Sequence, residues 1–229
     1  MTPFAVAGHA LQLLPSGAVF HLPSSSLLVA DAHVGKDTSF RKLGVPVPGL
    51  ASAGTLERLS LDLGHTQATR LVFLGDFLHA ARSVDAALLT MLHLWRNRHP
   101  QVAMQLIRGN HDIAAGDPPA SLNIGVVNEP HALHATDQRL PLALCHHPQA
   151  VAGHYALAGH WHPCTTVHGR GKQRLRLACF WFGDPATNAL GVLPAYGEFT
   201  GKHPIERRAG DAVFAVAQRQ VLALPAMPQ

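Results

Sequence analysis

The sequence predicts an α/β protein: two mixed β-sheets packed together and flanked by helices, a four-layer α/β/β/α sandwich formed by residues 1–229 as a single domain. Three observations predict it. Short apolar runs in the first half alternate with helical periodicity, the pattern of strand–helix–strand units around a parallel sheet. From about Gly125 onward the helical periodicity stops and strand-like runs follow one another. Each apolar run of the first half also ends in polar residues, and open α/β sheets gather ligands at the carboxyl ends of their strands.

The first 21 residues alternate short apolar stretches with a turn at Pro15-Ser16-Gly17 and read as a β-hairpin. Leu27 to Ala30 is a buried strand stopping at Asp31. Ala51 to Leu63 is a helix, with Leu56, Leu59 and Leu63 on one face and Gly64 as its expected C-cap. Leu71 to Leu74 is a second strand, ending at Gly75-Asp76. Val84, Ala87, Leu88, Met91, Leu92 and Trp95 make an amphipathic helix, with Ser83 as its expected N-cap. Val102 to Ile107 is a third strand, running into Arg108-Gly109-Asn110-His111-Asp112. In the second half the strand-like runs are 140–145, 155–158, 164–167, 175–180, 190–193 and 212–216.

Composition narrows the function. The chain has 229 residues, 47% hydrophobic and 14% charged, enough for a sizeable core and too apolar for a disordered chain. A formal charge of +4 is only mildly basic, unlike a dedicated nucleic-acid coat protein. Three Cys without a CxxC do not read as a disulfide framework or a zinc finger. No signal-like leader and no long apolar run are visible, so a cytoplasmic location without a membrane span is expected. The unusual count is 17 His against 14 Asp plus Glu, and histidine is the commonest metal ligand.

The polar residues at the strand ends carry the chemistry. They are Asp31 and His33; Asp76; Asn110, His111 and Asp112; His146 and His147; His160 and His162. Carboxylate, imidazole and amide oxygen together suit divalent Mn, Fe or Zn, and the lack of Cys argues against structural zinc. In Asp31-Ala32-His33 and His160-Trp161-His162 the outer residues are two apart, so both can face one cluster as the chain leaves a strand.

These clusters, in this order, resemble the calcineurin-like metallophosphoesterase family: Asp31-x-His33, Gly75-Asp76, Gly109-Asn110-His111-Asp112, a strand-terminal His146, and Gly159-His160-x-His162. The resemblance implies a binuclear-metal phosphoesterase. Asp31, His33 and His162 would hold one ion, Asn110, His146 and His160 the second, and Asp76 would bridge them; the adjacent His147 is the alternative to His146, which is preferred because it directly follows the strand 140–145. A hydroxide between the metals would attack phosphorus in line. His111 would protonate the leaving group, with Asp112 orienting its ring. Lys36, His79 and His147 are expected substrate contacts. Asp31 to Lys36, Phe40-Arg41, Gly44 to Gly49 and Leu175 to Phe180 also resemble the bacterial ligase-associated DNA-damage-response endonuclease branch. That resemblance implies manganese, DNA as substrate, and ligase and helicase-like proteins as partners. The competing functions are a nucleotide or nucleotide-sugar pyrophosphatase, a small-molecule phosphodiesterase, or a metal-binding scaffold without activity; a scaffold would not need His111.

Two further expectations concern surfaces. Arg41 and Lys42 are candidates for tracking a nucleic-acid backbone. Arg170, Lys172, Arg174 and Arg176 alternate as one face of a strand would. Trp161, between two expected ligands, is expected to pack.

Overall fold

A computed structural model describes residues 1–47, 50–133, 140–169, 171 and 173–227. The first sheet contains β1 (Thr2–Val6), β2 (His9–Leu13), β3 (Val19–His21), β4 (Ser26–Val29), β5 (Arg70–Leu74), β6 (Ala103–Ile107) and β7 (Ile124–Val127), in sequence order. β1 to β4 pair antiparallel and β4 to β7 parallel. The expected N-terminal hairpin is therefore the start of a four-strand antiparallel meander whose last strand, β4, begins the parallel part.

Between the parallel strands run α1 (Lys36–Lys42), α2 (Ala51–Thr66) and α3 (Ala86–Asn97), and α4 (Asn110–Ala115) follows β6. Most of the predicted apolar stripes are buried, although Ala87 is exposed and Val84 lies before α3 rather than within it. Leu56, Leu59 and Leu63 of α2, with Leu88, Leu92 and Trp95 of α3, pack on Leu27, Val29, Leu71, Phe73 and Leu106 of the sheet. Two helix ends differ from expectation. α2 runs past Gly64 to Thr66 and stops where Gln67 turns left-handed at φ 52°. α3 is capped by Asp85, whose Oδ1 accepts from Leu88 N at 3.0 Å, while Ser83 Oγ donates to the Ala80 carbonyl in the preceding 3-10 turn.

The second sheet contains β8 (His131–Leu133), β9 (Leu142–Leu144), β10 (Tyr155–Ala158), β11 (Pro163–His168), β12 (Arg174–Phe182), β13 (Leu190–Val192), β14 (His203–Pro204), β15 (Ala212–Ala217) and β16 (Gln220–Ala223). Its strand order is β14-β11-β12-β13-β10-β9-β8, with β15 and β16 attached to β12. β9, β10 and β13 are parallel and most of the rest antiparallel.

The sheets pack face to face. Leu28, Ala30, Val72, Leu74 and Ile107 of the first share one core with Leu142, Leu144, Tyr155, Leu157, Phe180 and Phe182 of the second. The predicted α/β fold of two packed mixed sheets is what the chain adopts. The outermost layer takes a different form from the expectation. The outer face of the second sheet (Cys145, Ala156, Ala158, Cys179, Trp181, Val192) is covered by Val151, Ile205 and Leu224 from loops and strand ends, with no α-helix after Ala115 among the described residues.

Strands β4, β5 and β6 of one sheet and β9 and β10 of the other all end at the same edge. Backbone bonds lock that edge. Asp31 N–H donates to the Gly75 carbonyl at 3.2 Å, His33 N–H to the Asp76 carbonyl at 2.8 Å, and Gly159 N–H to the His146 carbonyl at 3.1 Å. Among the described residues, no helix is long and apolar enough to cross a membrane.

Candidate metal centre at the strand ends

The seven expected ligands come together at this edge. Asp31, His33 and His162 place one ligand atom each within 4.8 Å of one another, and Asp31, Asp76 and His146 form a second such group. Asp31 and Asp76 are almost fully buried, as are His33 and His146. Asp76 lies between two sets of donors. Its Oδ1 is 3.5 Å from His146 Nε2, and its Oδ2 is 3.9 Å from His33 Nε2. Asp31 Oδ2 is 3.7 Å from His162 Nε2 and accepts the His160 N–H at 2.8 Å, a bond between the two sheets.

Proton placement follows from these bonds. His146 Nδ1 lies 3.1 Å from the Leu74 carbonyl, which can only accept, and this bond directs Nε2 into the centre. There Nε2 meets Asn110 Oδ1 at 2.9 Å and His160 Nδ1 at 3.1 Å. With Nε2 unprotonated, this group would offer its lone pairs to a shared cation. Asp31 Oδ1 and both ring nitrogens of His33 are likewise buried with no hydrogen-bond partner among the described residues. Burial, with the Lys36 ammonium and neighbouring imidazoles adding to it, drives the His33 pKa far below its ordinary value, so the ring is neutral and able to ligate. Burial also raises the Asp76 carboxyl, with His146 opposing the shift and Asp31 adding to it. Oxygen and imidazole donors without thiolates suit a pair of divalent ions. The residues present fit the implied metals.

His111 stands at the mouth, with its side chain 37% exposed. Its Nδ1 donates to the His79 carbonyl at 2.7 Å, which leaves Nε2, 4.0 Å from Asp76 Oδ2, as the free end. Asp112 does not orient this ring, contrary to expectation. It is the third residue of α4, and its carboxylate turns back to accept Gly109 N–H at 2.9 Å and Leu78 N–H at 3.0 Å. It therefore clamps the loops that carry Asn110 and His79. Burial pushes its carboxyl up to about 6, against those two bonds. The His79 ring stacks on His111, centroids 4.9 Å apart, and burial, Lys36 and His111 lower its pKa to about 4. Lys36 is half-buried, its pKa lowered by burial and held up by Asp31 and Asp76, with Nζ 5.8 Å from the Phe40 ring centroid.

The chain is similar over nearly its whole length to the crystal structure of nuclease MPE from Pseudomonas putida: 40% identity, covering 97% of this chain and 98% of that one, TM-score 0.80. The chain belongs to the calcineurin-like metallophosphoesterase family. A phosphoesterase from E. coli, Yfce, aligns at 14% identity over 89% of this chain and 99% of its own, TM-score 0.44. A predicted phosphoesterase from Streptococcus pneumoniae aligns at 13% over 87% and 92%, TM-score 0.32. The assignment rests on the first similarity. No family model and no curated protein sequence matches the chain.

In this metallophosphoesterase, one residue of the site lies outside the sequence motifs. Glu129, just past β7, accepts the N–H of His146 at 2.6 Å and of His147 at 2.8 Å, and its Oε1 holds His147 Nδ1 at 2.6 Å. This separates the adjacent histidines: His146 turns into the centre, and His147 stands at the rim beside His160, centroids 4.5 Å apart. The signal for Glu129 was another apolar run, Val126-Val127, ending on polar residues. Of the basic residues expected on one face, Arg174 and Arg176 are exposed on β12, while Arg170 and Lys172 lie outside the described residues, as do Pro48 and Gly49 of the Gly44 to Gly49 stretch. Lys42 is engaged with Asp85 at 3.1 Å, and Arg41 lies 3.8 Å from Asp37.

Proposed function

We propose that this chain is a divalent-metal-dependent phosphodiesterase that cleaves nucleic acid. The observation that carries the reading is the convergence of Asp31, His33, Asp76, Asn110, His146, His160 and His162 at one edge, with Asp76 between two donor sets. Asp31, His33 and His162 are assigned to one ion, Asn110, His146 and His160 to the other, and Asp76 to both. When bound, the ions supply charge neutralisation at the phosphate and lower the pKa of a coordinated water.

The chain's own residues do the rest. His111 is assigned the proton transfer to the leaving oxygen. Its Nδ1–H is fixed on the His79 carbonyl, so the proton to be delivered sits on Nε2, the end that faces the cleft. Asp112 acts as a positioning residue, holding the turns before Asn110 and His79. Lys36, His79 and His147 line the approach and are assigned to the phosphate oxygens.

The similarity to a nuclease supports nucleic acid as the substrate. The Asp31–Lys36 and Phe40-Arg41 motifs support DNA in repair, with ligase and helicase-like proteins as partners, and manganese as the ion. We place the protein in the cytoplasm, where the buried thiols of Cys145, Cys164 and Cys179 stay reduced.

The test is cleavage of supercoiled plasmid, a bis(aryl) phosphodiester and an aryl phosphomonoester, with and without manganese. Plasmid nicking that needs the ion and is lost in Asp76→Ala and His111→Ala is expected. Diester hydrolysis without nicking would move the reading to a small-molecule phosphodiesterase, and no hydrolysis with any divalent ion would end it.

A further inference from the structure

Trp161 is bonded on one side to His160 and on the other to His162, both placed in the metal centre, yet the residue is 40% exposed. It does not close into the core. It forms one wall of a cleft of about 330 Å³, with Trp181, His203, Leu190, Asn188 and Arg208 among the lining residues. The Trp161 and Trp181 rings stand 6.2 Å apart with planes within 31° of each other, and His203 is 6.1 Å from Trp161. These walls are fixed. Trp181 is buried, and its Nε1–H donates to Asp211 Oδ2 at 2.9 Å. His203 N–H donates to the His162 carbonyl at 3.0 Å, tying the cleft to the loop that carries the ligands.

We propose that this cleft is a nucleobase subsite, in which a base flanking the scissile phosphate stacks on Trp161. The proposal rests on the nuclease reading above. Three features favour a base over another occupant. The cleft sits at the small end of ligand pockets, about 300–1,000 Å³, which suits one flat ring system rather than a protein segment. Its polar groups are few: an amide from Asn188, an imidazole from His203, the guanidinium of Arg208 and one carboxylate, Glu206. One cation, Arg208, stands in the wall for a phosphate, and Lys202 immediately precedes the lining residue His203, its Nζ donating to the Arg176 carbonyl at 3.3 Å. Stacking on an indole accepts any base, so the subsite confers affinity and register along a strand without sequence preference.

The test walks a single abasic residue along a short single-stranded oligonucleotide cleaved by the manganese-loaded protein. One position near the scissile phosphate is expected to lower kcat/KM by about 5- to 150-fold, the worth of one stacked base, chiefly through KM. Trp161→Ala is expected to slow cleavage of the intact strand by a like factor and to abolish the extra penalty at that position, while Trp161→Tyr restores it. In the metal-free protein, a dinucleotide is expected to quench indole emission, and Trp161→Ala to remove that quenching. Far-ultraviolet circular dichroism checks that each variant is folded. Cleavage with no abasic penalty anywhere, or a penalty that persists in Trp161→Ala, overturns the subsite. Quenching without cleavage by any divalent ion leaves the subsite standing and overturns the nuclease reading instead.

Discussion

Gly109 offers the sharpest test of how the centre is held. It follows β6 at φ −97°, ψ 175°, an extended conformation open to any residue, so a substitution there acts through contact alone. A Cβ at this position would lie 2.5 Å from the Asp76 backbone nitrogen and 3.1 Å from Gly75 Cα, and would also meet Asp76 Oδ1. Ordinary contacts begin near 3.4 Å, so close to an ångström must be found between two backbones. Neither yields readily, because β5 and β6 are paired from Arg70↔Ala103 to Leu74↔Ile107. Overpacking of this kind costs about 1–3 kcal/mol. Displacement of a reacting group by about 1 Å costs about 100-fold in rate. Gly109→Ala is therefore expected to lower the urea midpoint, to weaken divalent-ion binding measured by calorimetry, and to cut kcat/KM about 100-fold. Gly64→Ala is the control. It sits in α2 with nothing within 4 Å of the new methyl, and is expected to stabilise by about 0.5–1 kcal/mol with activity intact. The reasoning fails if Gly109→Ala binds metal and turns over as the parent does.

Other expectations follow from single contacts. Glu129→Ala removes the oxygen that accepts both the His146 and the His147 N–H; a loss of about 1–3 kcal/mol is expected, with weaker metal binding through His146, read by chelator titration. Asp112→Asn is expected to cost about as much, because one of Gly109 N–H and Leu78 N–H loses its acceptor; unchanged stability in urea would exclude the clamp. His21, buried and bonded to His9 and Ser24, has its pKa lowered by burial and then by His9 to about 4. Folded protein keeps this ring neutral while the unfolded chain protonates it near 6.5, so stability is full above pH 6.5 and falls as the pH drops towards 4. The ring's share is at most about 3 kcal/mol. His21→Gln should flatten the urea midpoint against pH over that range, and an unchanged slope would refute this assignment.

The strand ends of the parallel sheet were legible because each short apolar run meets an Asp, Asn or His at the point where burial stops. The pairing of β4, β5 and β6 follows from the helices between them. What escaped the sequence reading depends on partners distant along the chain. Glu129 meets His146 across 17 residues, and Asp112 reaches Leu78 across 34, so no local pattern announces either bond. Asp112 next to His111 invited a contact between neighbours, but adjacent residues of a helix point apart. Asp85 over Ser83 as the cap of α3 was decided by where the 3-10 turn ended, and both residue types cap equally well.

The centre is also held by strained backbone that composition alone does not reveal. Asp31, His33, Asp76, His160 and His162 all have positive φ, between 46° and 67°. For residues other than glycine this region costs about 1–3 kcal/mol each, although Asp and His tolerate it better than most. Such a cost persists only where the surroundings fix the conformation, and here they do. Asp31 and His33 donate to the Gly75 and Asp76 carbonyls, Asp31 accepts from His160, and Asp76 accepts from His111 at 2.9 Å. The same carboxylates that face the metal donors thus also secure the turns that present them. Removing the Asp31 carboxylate therefore takes away the acceptor that holds the His160 N–H, and removing the Asp76 carboxylate the acceptor that holds the His111 N–H, along with the oxygens each turns toward the neighbouring imidazoles.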